Sequence, residues 1–64
     1  MWIIRDGLNP EFYFKCFNSI NSYPTYTCQI ENAQQFDNQE DAQMIINRLA
    51  NGGEIIGFKS KRGK

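Results

Sequence analysis

The chain has no histidine. That absence removes the commonest general base, the Ser-His and Cys-His nucleophile pairs and the usual imidazole metal ligand. Little remains among 64 residues from which to assemble a catalytic centre. Cysteine is scarce as well. Cys16 and Cys28 do not follow a zinc spacing, and two thiolates without further soft ligands cannot close a tetrahedral site. Neither sign of charge is in excess, since seven acids balance seven bases. This excludes the uniformly basic field of a duplex-DNA binder and the acidic field of a nucleic-acid mimic. No apolar run approaches the ~20 residues of a membrane span, and residues 1–6 lack the basic and long apolar stretches of a secretory signal. The chain reads as a cytoplasmic protein that is not an enzyme, needs no cofactor and makes no membrane contact.

What is present suffices for a fold. Hydrophobic residues make up 41% and aromatics 14% of the chain, too much apolar material for a disordered segment. At this length folding buries roughly 60% of the unfolded chain's surface, so self-association as a homodimer would add useful stability. The charges are unevenly ordered. From Cys16 to Asn47 there are four acids, Glu31, Asp37, Glu40 and Asp41, and no Lys or Arg, whereas Lys59, Lys61, Arg62 and Lys64 crowd the end. The spacing therefore divides the chain into one domain over residues 1–58 and a basic tail over residues 59–64.

Alternation of apolar and polar residues predicts strands over residues 1–5, 12–17 and 26–30, with a last one over residues 54–58. Between them, Ala42, Ile45, Ile46 and Leu49 fall at i, i+3, i+4 and i+7, the stripe of an amphipathic helix. Asp37 is the expected N-cap, Glu40 its capping-box partner, and Arg48 the cation of the last turn. Helix boundaries near Asn38 and Ala50 follow, with Asn51-Gly52-Gly53 ending it. The fold class is α+β: a small, mostly antiparallel sheet with one helix packed on one face, in β-β-β-α-β order. Connection through the helix makes the last strand parallel to the third, beside either the third or the first.

The second strand carries aromatics on both faces. A turn centred on Ser22 sets Phe14 opposite Ile30 and Cys16 opposite Cys28, and places Phe12, Phe14 and Cys16 toward the helix. Tyr13, Lys15 and Phe17 then lie outside, where one helix cannot cover them. Three readings of the cysteines follow from that register: small buried hydrophobes, which the sequence favours, a cross-strand disulfide, or a reactive thiol. Met44 projects opposite the helical stripe, with Glu40 and Asn47 beside it. The residues expected to bind a protein partner are therefore Tyr13, Lys15, Phe17, Glu40, Met44 and Asn47. The alternative is a small nucleic-acid-binding protein that uses Lys59, Lys61, Arg62 and Lys64 with the aromatic sheet face.

Three stretches run through the whole chain in this order: Trp2-Ile3-Ile4-Arg5-Asp6-Gly7, then Tyr13-Phe14-Lys15, then Ala33-Gln34-Gln35-Phe36 followed by Glu40-Asp41-Ala42 and Leu49. In this it resembles small uncharacterised proteins encoded by phages and prophages. The resemblance implies a product that acts in the host cytoplasm by binding and inhibiting a host protein, as anti-CRISPR and other anti-defence inhibitors do. It carries no functional residue with it.

Overall fold

The structure, a computed structural model, describes residues 1–57. Strands β1 (Trp2–Asp6), β2 (Tyr13–Phe17), β3 (Pro24–Thr27) and β4 (Gly53–Gly57), with helix α1 (Gln39–Ile46) before the last strand, give the expected α+β order. The sheet runs β3-β2-β1-β4 and every pairing is antiparallel. The last strand thus lies beside the first, as one of the two expected positions had it, but it runs antiparallel to β1 and not parallel to β3. The reason lies in the connection. Residues 28–38 fold back through a 3₁₀ turn at Ile30–Asn32, so β4 enters the sheet from the end at which β3 leaves it.

The helical stripe seats on one sheet face. Ala42 and Leu49 are buried with Ile4, Phe14 and Phe36, and Trp2, Phe17, Tyr26, Ile45, Ile46 and Ile55 pack around them. The helix is shorter than its pattern. It ends at Ile46, and Leu49 reaches the core from a following turn closed by bonds from Arg48 N to Ile45 O and from Leu49 N to Ile46 O. Arg48 consequently lies beyond the helix and not in its last turn. The N-cap also moves by one residue. Asn38, in extended conformation, accepts from Asp41 N at 2.8 Å, which places Asp41, not Glu40, at the third helical position and rules out the expected capping box. Asn38→Ala should therefore cost about 1 kcal/mol of stability, while Asp37→Ala should cost much less; urea unfolding of the two variants measures the difference.

The β2–β3 register departs most from expectation. Tyr13 faces Thr27 and Phe14 faces Tyr26, but Cys16 faces Thr25 and Phe17 faces Pro24, so Lys15 is the extra residue of a β-bulge. The turn is not centred on Ser22 alone. Residues 18–23 form a longer loop in which Ser22 takes a positive φ of 64°. Because the bulge spends two residues on the outer side, Phe17 comes back to the helix side. Its ring meets that of Phe14 edge-on at 5.1 Å between centroids.

Beyond the bulge, β2 leaves β1. Only Arg5 and Tyr13 pair across these strands, extended by a bond from Asp6 N to Phe12 O. The gap is filled by residues 34–36. Phe36 exchanges backbone bonds with Trp2, at 2.9 and 2.8 Å, and Gln34 N donates to Phe14 O at 3.0 Å. This short wedge satisfies backbone groups that the diverging strands would leave bare.

Candidate functional site

The wedge and the bulge together leave an apolar cleft. It has a volume of about 210 Å³ and is lined by Phe14, Cys16, Phe17, Gln34, Phe36 and Ile45. One wall comes from β2, one from the wedge and one from α1. Phe17 forms its outer corner, with the Arg48 guanidinium carbon 4.8 Å from the ring centroid, a cation–π distance. Next to this corner the chain enters the 18–23 loop, whose backbone is closely tied. Asn18 Oδ1 accepts from Ile20 N and Asn21 N, Ser22 N donates to Asn18 O, Asn18 N donates to Tyr23 O, and Asn21 Oδ1 accepts from Tyr23 N. The bonds hold two apolar side chains out in water. Ile20 is 92% and Tyr23 70% exposed.

The expected contact residues fall into three groups. Tyr13 and Lys15 remain on the face away from the helix, Tyr13 half-buried and Lys15 exposed. Phe17 does not, because the bulge turns it into the cleft. Glu40, Met44 and Asn47 are exposed on α1 and the turn after it, with Met44 65% exposed and the Asn47 side chain held by Gln43 at 3.0 Å. Lys59, Lys61, Arg62 and Lys64 lie outside the described residues, as does Phe58.

Both cysteines correct the sequence reading, for neither is buried. Cys16 sits opposite Thr25, Cys28 lies past the end of β3, and both thiols are free. The Thr25 hydroxyl donates to Cys16 O at 2.7 Å and lies 3.4 Å from Cys16 Sγ. With its one hydrogen so used, Thr25 Oγ1 is the acceptor and the Cys16 thiol the donor.

Residues the sequence did not assign to a contact site complete it: Ile20, Tyr23, Gln34, Phe36, Ile45 and Arg48. A signal existed for the loop, since Asn18 and Asn21 flank Ile20 and both build Asx turns. The cleft had none, because its walls meet only through the bulge.

Behind the cleft, Tyr26 packs edge-on against Phe14 at 6.3 Å. Burial raises its phenol pKa above the ordinary value, and the nearby Asp6 charge raises it further. The folded protein thus keeps this proton to higher pH than the unfolded chain does. The associated stability is present below about pH 10 and is lost as pH rises through the folded value. Thermal unfolding midpoints should fall above that pH, and Tyr26→Phe should flatten the fall. Comparison of the chain with protein-family models, with curated proteins and with solved structures finds no match.

Proposed function

We propose that the chain is a non-enzymatic contact protein that binds and modulates a protein partner. The observation that carries this reading is the 18–23 loop, in which close backbone bonding fixes Ile20 and Tyr23 in solvent beside an open apolar cleft. A hydrophobic side chain held rigidly outward loses little conformational freedom on binding, which is what an interface anchor requires. The loop is built from Asn, Ser, Ile and Tyr, a composition that combines adaptable hydrogen bonding with an aromatic anchor. The resemblance of the chain's sequence to phage-encoded proteins makes a host protein the proposed partner, and the exposed face of Glu40, Met44 and Asn47 offers a second area of contact.

The test is affinity capture from a bacterial lysate with the intact chain as bait, followed by binding measurement on the purified partner. One stoichiometric protein is expected, retained at high salt. The double variant Ile20→Ser with Tyr23→Ser should weaken it by about 2 kcal/mol or more while remaining folded. Retention that collapses with salt and disappears on nuclease treatment would instead favour phosphate-driven binding through the basic tail.

A further inference from the structure

The size of the cleft restricts what can enter it. An enclosed apolar cavity of ~150 Å³ takes a benzene molecule, so about 210 Å³ between Phe14, Phe17, Phe36 and Ile45 admits one phenyl or leucine-sized side chain. Charge narrows the choice further. From Cys16 to Ile30 the chain carries no charged residue, and it is Arg48 that brings a charge to this wall, laid over the Phe17 ring. Arg48 is exposed, and among the described residues it makes no ion pair. A guanidinium resting on an aromatic face keeps its N–H fork free at the edge, the geometry that receives a carboxylate.

We propose that the cleft is an anchor pocket for one bulky apolar side chain of a partner protein, and that the acidic side chain next to it in the partner's sequence meets Arg48. This rests on the contact reading above and states the partner's chemistry. A second copy of this chain fits less well. Among the described residues, none of its own exposed large apolar side chains, Met1, Leu8, Ile20, Tyr23 and Met44, has an acidic residue next to it in sequence.

Two capped dipeptides test the proposal on the full chain: acetyl-Phe-Asp-amide and its neutral counterpart acetyl-Phe-Asn-amide, titrated while the backbone amide resonances are followed by NMR. Both should shift the signals of Phe17, Gln34 and Ile45 with millimolar affinity, and the Asp peptide should bind roughly five-fold tighter, an advantage that added salt reduces. Arg48→Gln should remove the advantage and keep the shared binding. Equal affinities in the unsubstituted protein, or no shift at the cleft up to about 20 mM peptide, would overturn it. So would cleft signals that move with protein concentration alone and stop moving in Ile20→Ser, since a second copy would then be the occupant. A lysate partner lost in the Ile20 and Tyr23 double variant, with no dipeptide binding, would leave the contact reading standing and this one refuted.

Discussion

Phe14→Ala should remove a large part of the chain's folding stability at 25 °C. The ring is 2% exposed and belongs to the buried cluster with Ile4, Phe36, Ala42 and Leu49. It also supports two further aromatics, Phe17 at 5.1 Å and Tyr26 at 6.3 Å, so the surroundings cannot collapse onto the space without moving the bulged half of β2. Truncations of this kind cost about 3–5 kcal/mol. A domain of this size holds about 3–10 kcal/mol in total. The loss therefore takes from about a third to all of what is there, and circular dichroism with Trp2 fluorescence in urea would read it directly. Phe14→Leu, which keeps most of the volume, should cost markedly less and remain folded.

The second large effect is expected at Gly7. A Cβ on Gly7 would collide with the backbone oxygen of Asn51, so the β1–β2 loop and the turn before β4 approach each other more closely than any side chain permits. Neither partner is the end of a flexible side chain. One backbone segment would have to move, and Gly7→Ala should cost about 3 kcal/mol, at the upper end for overpacking. Gly52→Ala is the comparison. Gly52 has a φ of 68°, yet a Cβ there would meet nothing within 4 Å, so its cost should be limited to the roughly 1 kcal/mol of a left-handed backbone. Thermal midpoints of the two variants should separate clearly, Gly7→Ala being much the lower.

The parts of this fold that were legible in the sequence are those set by local chemistry. Ala42, Ile45, Ile46 and Leu49 announce a helix and the face it buries, and all four do pack toward the sheet. The cap was displaced by one residue because Asp37 and Asn38 are both good N-caps, and the choice falls to whichever has the extended backbone, here Asn38. Register was not legible. Placing Phe14 opposite Ile30 assumed an uninterrupted ladder, whereas Lys15 is bulged and Ile30 has already entered a 3₁₀ turn. What favours the bulge lies far away in the chain, in the backbone bonds that Gln34 and Phe36 make inside the gap. One misplaced residue then moved Phe17 across the sheet and took Cys16 and Cys28 apart, so the cleft could not be anticipated although most of its walls are aromatic or aliphatic.

The pairing of β1 with β4 also governs the order in which the molecule can assemble. Arg5 and Glu54, joined across these strands at 2.8 Å, are 49 residues apart in sequence, while the β2–β3 pairs close only a short loop. Bringing distant segments together is opposed by chain entropy until other contacts have drawn them close. The hairpin of β2 and β3 can thus form early, and the ladder from Trp2–Gly57 to Asp6–Gly53 is completed late. During synthesis from the N-terminus, β1 must wait for the last strand with one edge open, and its fully buried Ile3 and Ile4 are accessible to other chains for that interval. The slow step of refolding should accordingly track substitutions in β4 more closely than those in the β2–β3 hairpin.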